Sequence, residues 1–478
     1  MEIIGRSNEQ QRLESLYNSR RAEFLVIYGR RRVGKTYLIR QHFENRFAFV
    51  TTGLYKKSQD MQLTQFAMAL NESFGIDMPA FSTWLEAFAM LKKCLQSSKQ
   101  DRKVVFIDEI SWFDTTGSDF IGALEWFWNG WAASQSDIFL IACGSATSWI
   151  TDKLLSDKGG LFNRATCQMF LLPFTLNETE QYLISRGFQW NRYDITECYM
   201  VMGGIPYYLN QLDPQQTYTA NVDELFFKKN GRLKDEFDHL YKMLFENSSY
   251  YIKLVEALSE KTMGLTRDEI SKTAKVGNNG QLTKALRDLV NCNIIRGYNY
   301  FGKARNGIVY QLSDYFTMFY FRFIRQYYGR DEHFWTLTID LPARRAWAGC
   351  TFEQVCKDHI DQIKHALGIW GVISEQSTWY SKTQKDSSAR GAQIDMLIAR
   401  RDHVINICEI KFSQSEYTID KDYELQLRNK VGTFRDATGT HDALHVTMIT
   451  TYGVMPNSHS GIVQSQVTLD DLFLPNRE

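Results

Sequence analysis

The stretch Gly29-Arg30-Arg31-Arg32-Val33-Gly34-Lys35-Thr36 fills every fixed position of the phosphate-binding pattern G-x-x-x-x-G-K-[ST]. The apolar run Phe24-Leu25-Val26-Ile27-Tyr28 precedes it, and Tyr37 to Phe43 continues with helical spacing. Strand, tight loop and helix N-terminus are the setting in which backbone amides converge on an anion. Gly29 and Gly34 permit the curl, and Arg30, Arg31, Arg32 and Val33 contribute amides along it. Lys35 is expected at the β- and γ-phosphates and Thr36 at Mg²⁺. A solitary pattern arises by chance, so it needs a partner. Val104-Val105-Phe106-Ile107-Asp108-Glu109 is one: an apolar strand ending in two carboxylates. Asp108 would hold the Mg²⁺ shell and Glu109 would polarise the attacking water. The pair of motifs implies binding and hydrolysis of a nucleoside triphosphate, with ATP and Mg²⁺ as the expected cofactors.

Working outward, strand candidates at 24–28, 47–52, 104–108, 138–143 and 168–172 alternate with helical patterns near 58–74, 82–97 and 118–133. That alternation predicts an α/β domain over residues 1–175, with a parallel sheet covered on both faces. Residues 176–244 read as a helical lid that starts at the cap-like Thr175-Leu176-Asn177-Glu178 and contains Gly203-Gly204-Ile205-Pro206. Residues 245–315 show helix, turn, helix and then a hairpin, the order of a winged helix. Between Thr262 and Leu312 there are eight Lys/Arg against three Asp/Glu. Lys284 and Arg287 fall on the second helix of that motif, Lys303 and Arg305 on the wing. DNA contact is one reading of this surface, and a protein-contact lid is the other. Residues 316–346 form an aromatic connector read as a buried packing helix, and residues 347–478 return to mixed α and β.

Lys plus Arg equals Asp plus Glu, 55 against 55 in 478 residues, so no global field steers the chain to nucleic acid or membrane. The eight cysteines form no C-x-x-C pair, which reads as free, buried thiols in a reducing compartment. The beginning of the chain lacks a signal-peptide layout, and no apolar run approaches the roughly 18 residues of a membrane span. A soluble cytoplasmic protein is the expectation.

A second set of charged residues lies near the C-terminus. Asp395 sits on the strand-like Gln393–Ala399, and Glu409 and Lys411 on the strand-like Asn406–Lys411, with Glu353 on a helix upstream and Gln426 on one downstream. Carboxylates on adjacent strands can share a divalent metal, and Glu409 and Lys411, two apart on a strand, share a face. Lys411 could then position or deprotonate a water for attack on phosphorus. A strand salt bridge explains the same residues without chemistry.

With these residues in hand, the chain resembles the archaeal-type ATPase family of the AAA+/STAND P-loop group, whose C-terminal DUF234-like domain is similar to PD-(D/E)xK nucleases. The resemblance implies that Ile4-Gly5-Arg6 is the leading box near the adenine and that Cys143-Gly144-Ser145 is the sensor position. It implies that Arg164 is an arginine finger or sensor and that Gly203-Gly204-Ile205-Pro206 contacts the nucleotide side. Asp395 and Glu409 would be metal ligands, with Glu353 and Lys411 accessory. Three functions stay open: an ATP-driven switch on a protein or nucleic-acid partner, an ATP-regulated nuclease, and a winged-helix DNA-binding regulator. Oligomerisation is compatible with each.

Overall fold

The computed structural model describes all residues except 1, 78–79, 156–159, 303–307, 328, 330, 382–390 and 476–478. The chain divides into two compact units, Met1–Pro173 with Asn291–Asn293, and Phe174–Val290 with Ile294–Glu478.

The first unit is built on five parallel strands: β1 (Glu23–Tyr28), β2 (Phe47–Thr52), β3 (Lys103–Asp108), β4 (Ile138–Gly144) and β5 (Cys167–Phe170). Their order across the sheet is β2-β3-β4-β1-β5. β3 and β4 are buried along their whole length, as continuous apolar strands covered on both faces must be. The covering helices are amphipathic. Trp84–Ser97 starts at a complete capping box, Thr83 with Glu86, and buries Trp84, Phe88, Leu91 and Leu95. Phe120–Gly130 buries Phe120, Phe127 and Trp128 while Trp126 stays exposed, so the aromatic run is a core helix. Each fully buried aromatic of this layer contributes about 1.5–3 kcal/mol by removal from water.

Strand order positions the site. β4 lies between β1 and β3, and all three run parallel, so the loop after Tyr28, the Asp108-Glu109 pair and Ser145 leave the same edge of the sheet.

The second unit begins with helices Leu176–Ser185 and Arg192–Met202, the first capped reciprocally by Thr175 and Glu178. Gly203 and Gly204 end the second helix in left-handed conformation, φ 66° and 63°, and Pro206 opens the next turn. A Cβ on Gly204 would stand 2.2 Å from the Phe174 carbonyl oxygen, so glycine is required there. Helices Ser248–Ser259, Arg267–Thr273 and Gly280–Asn291 accompany a small antiparallel sheet of β6 (Leu265–Thr266), β7 (Ile295–Tyr298) and β8 (Val309–Leu312), ordered β6-β8-β7. Lys303 and Arg305 lie outside the described residues.

The aromatic connector differs from the single helix expected of it. Tyr315–Phe319 passes into a π-helical turn, Tyr320–Ile324, and Gly329 has φ 69°, so the next helix is the short Phe334–Leu337. The wider turn lets Phe319 and Phe323 both pack on Trp335, at 5.0 Å. The expected start of the last domain, residue 347, falls inside the helix Pro342–Asp358, which proline opens at its first turn.

The C-terminal sheet is mixed: β9 (Ser374–Ser381), β10 (Ala392–Arg400), β11 (Val404–Lys411), β12 (Ala443–Thr450) and β13 (Ser465–Thr468), ordered β13-β12-β11-β10-β9. β9, β10 and β11 pair antiparallel, and β11, β12 and β13 pair parallel. The helix Lys421–Thr438 joins β11 to β12 as the crossover that parallel pairing demands. Among the described residues no helix is long and apolar enough to cross a membrane. All eight cysteines are free; six are buried, Cys94 is half-buried and Cys350 is exposed, so the expectation of uniformly buried thiols does not extend to the last two.

Candidate functional site

The phosphate-binding loop owes its shape to its glycines. Gly29 has φ 140° and Gly34 φ 92°, and a Cβ on Gly29 would lie 2.5 Å from the Leu171 carbonyl oxygen. Lys35 opens the helix Lys35–Phe43 and turns its ammonium back into the loop, donating to the carbonyls of Gly29 and Arg30 at 2.9 Å each. It is buried, and that burial pushes its pKa down, opposed by Cys143, Glu109 and Asp108 nearby. Arg30 and Val33 are buried, and Arg31 and Arg32 are half-buried, Arg32 in left-handed conformation at φ 74°.

Across the same edge, the Thr36 hydroxyl donates to Asp108 Oδ1 at 3.1 Å. Burial raises the Asp108 pKa, while a hydrogen bond with the Cys143 thiol lowers it. Glu109, left-handed at φ 46°, accepts from Ser145 Oγ at 2.9 and 3.1 Å and from the Ser145 amide at 3.3 Å. Lys35, Thr36, Asp108, Glu109 and Ser145 therefore form one constellation. The lysine is tied to carbonyls and the carboxylates to hydroxyls, so cation and anions stay separate. This donor set fits a Mg²⁺-nucleotide: a buried ammonium and a glycine-shaped loop for phosphate, and a hydroxyl beside a carboxylate for the metal.

The leading box braces this loop. Gly5 and Arg6 are left-handed, and the buried Arg6 guanidinium donates to the carbonyls of Leu172 at 2.6 Å and Val33 at 3.3 Å while pairing with Glu9 at 3.3 Å. It thereby joins the phosphate loop to the segment after β5.

Arg164 is not brought to this edge. It is exposed, three residues before β5, and the Thr166 amide donates to Phe24 at the start of β1. The loop lies beyond the other end of β1, five residues on, or roughly 17 Å at the rise of a strand, more than an arginine side chain spans. Pro206 belongs to the second unit.

In the second unit, the C-terminal residues do converge. One step beyond the last paired residues, Met396 and Cys408, Asp395 Oδ2 accepts from the Ile410 amide at 3.1 Å. Glu409 is fully buried, with Lys411 at 4.0 Å. Glu353, on the helix Pro342–Asp358, is pushed up to about 7 by burial first and then by Asp395. Three residues absent from the sequence reading complete the set. Lys430 donates to both oxygens of Glu409, at 2.6 and 2.7 Å, and Tyr423 donates to Oε2 at 3.2 Å. Lys357, its pKa pushed down by burial, faces Glu353 and Asp395. A signal was available: Tyr423 and Lys430 lie seven apart on one helix and so share a face. Gln426, on that helix, is exposed. This donor set does not fit a divalent ion, because both oxygens of its central carboxylate are held by an ammonium. Among the described residues no group of three or more His, Cys, Asp or Glu could hold a metal ion.

The parallel sheet and loop of the first unit resemble those of P-loop ATPases. Residues 4–212 match the family model described as an ATPase domain predominantly from Archaea. An uncharacterized protein of Methanocaldococcus jannaschii is 24% identical over 401 residues, 83% of this chain and 84% of that one. An uncharacterized ATP-binding protein of the same organism is 44% identical over 44 residues, 9% of this chain and 75% of that one. Among solved structures, the Walker-type ATPase PABY2304 of Pyrococcus abyssi superposes with a TM-score of 0.48 at 16% identity, over 67% of this chain and 96% of that chain.

Proposed function

We propose that this chain is a Mg²⁺-dependent, ATP-hydrolysing switch of the AAA+/STAND kind acting on a protein or nucleic-acid partner. The observation that carries the reading is the separation of charges at one sheet edge. Lys35 is held by two carbonyls, and neither Asp108 nor Glu109 is spent on a lysine. Lys35 and the amides of residues 29–36 bind and orient the phosphates, and Thr36 and Asp108 hold Mg²⁺. When bound, Mg²⁺ supplies charge that stabilises the phosphate oxygens during transfer. Glu109 orients a water and takes its proton; the Ser145 hydroxyl and amide keep that carboxylate aligned. The placement of Arg164 supports a role toward the nucleotide of a second copy, which makes oligomerisation part of the reading.

The three helices and small sheet of residues 248–312 support a winged-helix module, and its surplus of basic residues supports a DNA contact as one use of it. The convergence of Glu353, Asp395, Glu409 and Lys411 supports a PD-(D/E)xK-like fold for the last domain, used for docking. The test is ATP turnover of wild type, Glu109→Gln and Arg164→Ala over a range of protein concentrations, with and without duplex DNA. Glu109→Gln should keep nucleotide affinity and lose turnover by about 100-fold or more. Wild-type specific activity should rise with concentration, and Arg164→Ala should abolish that rise. Native-rate hydrolysis by Glu109→Gln would overturn the assignment of the base, and concentration-independent turnover would leave a monomeric switch.

A further inference from the structure

Glu353, Asp395 and Glu409 place three carboxylates in one buried cluster, and Lys357, Lys411 and Lys430 place three ammonium groups among them. The nearby Arg296 is itself matched by Asp358. The centre of the cluster is Glu409, fully buried, with Lys430 on both oxygens and Tyr423 on one. Asp395, which would be the companion ligand, spends Oδ2 on the Ile410 amide. A divalent cation binds oxygens that carry uncompensated negative charge, and at Glu409 both oxygens already have a resident ammonium. Displacing Lys430 would leave a partly buried cation without its counter-ion, so metal entry must offset that cost as well as dehydration of the ion.

We propose that Lys430 is the built-in cation of the C-terminal acidic site, occupying the carboxylate that a divalent metal would need and closing the site to such ions. The C-terminal domain then works as a metal-independent module, and the divalent requirement of the chain resides in the ATPase site alone. A corollary follows from the same geometry: removing the Lys430 charge creates a metal site in which Glu409 and Asp395 are the ligands.

The test is Mn²⁺ binding to the full-length, nucleotide-free protein, read by calorimetry and by the loss of free Mn²⁺ resonance in solution. The ATPase site contributes equally to every variant and cancels in the comparison. Wild type and Glu409→Gln should give superimposable isotherms. Lys430→Met should gain one site, at least about 10-fold tighter than any Mn²⁺ binding that wild type shows, and Asp395→Asn or Glu409→Gln added to it should remove that site. A wild-type isotherm containing a site that Glu409→Gln abolishes would overturn the proposal. So would a folded Lys430→Met protein that gains none. Should Lys430→Met fail to fold, Lys430→Gln keeps a hydrogen-bond donor beside Glu409 and takes its place. The comparison of wild type with Glu409→Gln decides the closed state without any change at Lys430.

Discussion

Two regions of this molecule are assembled from the same parts, lysines from helices and carboxylates on or beside neighbouring strands, and arrive at opposite states. At the phosphate loop, Lys35 is turned onto backbone carbonyls while Asp108 and Glu109 are held by Thr36, Cys143 and Ser145. At the C-terminal sheet, Lys430 lies directly on Glu409. Neutral hydroxyl partners keep opposite charges apart and ready for a ligand; a direct ion pair satisfies them and leaves nothing to bind. The chemistry of a charged cluster is therefore set by who its hydrogen-bond partners are, more than by which charged residues it contains.

The largest expected effect breaks the first region. Lys35→Ala should weaken ATP binding by about 100-fold or more, because the charge-assisted contact to phosphate disappears. Calorimetric titration of ATP with Mg²⁺ checks this, and unchanged affinity would remove the charge-separated site from the comparison.

The next measures stability, where the two lysines should diverge. Lys430→Ala leaves Glu409 buried without its ammonium and should cost about 3–5 kcal/mol in urea unfolding. Lys35→Met in nucleotide-free protein removes a desolvated cation that has no carboxylate bonded to it, and should be neutral or stabilising by about 1 kcal/mol. Equal destabilisation by both would mean the two clusters do not differ as described.

Ser145→Ala sharpens the role of the neutral partner. It should lower turnover by about 10-fold with little change in ATP affinity, since Glu109 loses alignment and not charge. Steady-state kinetics separate the two, and a change confined to KM would place Ser145 in binding.

The smallest effect is a pH dependence. Glu353 is raised to about 7 in the fold, by burial and Asp395, so its contribution to stability is present below its unfolded pKa and is lost as pH rises through 7. Lys357, Lys411, Glu409 and Asp395 face it. Glu353→Gln should therefore flatten the fall in melting temperature between pH 5 and about pH 8. An identical slope in both proteins would assign the dependence to another group of the cluster.

The legibility of the chain followed the range of the interactions. The strand, loop and helix around Gly29–Thr36 and the β-strand ending in Asp108 were readable because apolar periodicity and glycine placement are local properties. The capping box at Thr175 was readable for the same reason, as side chain and amide are three residues apart. The break in the aromatic connector was not, because Phe319, Phe323, Trp335 and Trp347 pack across a distance in sequence that no local pattern encodes.

By itself, then, the sequence determined that a glycine-shaped loop joins strand to helix at Gly29–Thr36, which strand ends in two carboxylates, and that four charged residues recur near the C-terminus. The tertiary structure decided the rest. Strand order set Ser145 against Glu109 and put Arg164 at the far end of the sheet from Lys35. The crossover helix Lys421–Thr438 delivered Lys430 to Glu409 across twenty-one residues of chain. The reason is physical: a charge in sequence has no partner until folding fixes its distance to every other charge, and at buried positions that distance decides whether the group binds a ligand or is already bound.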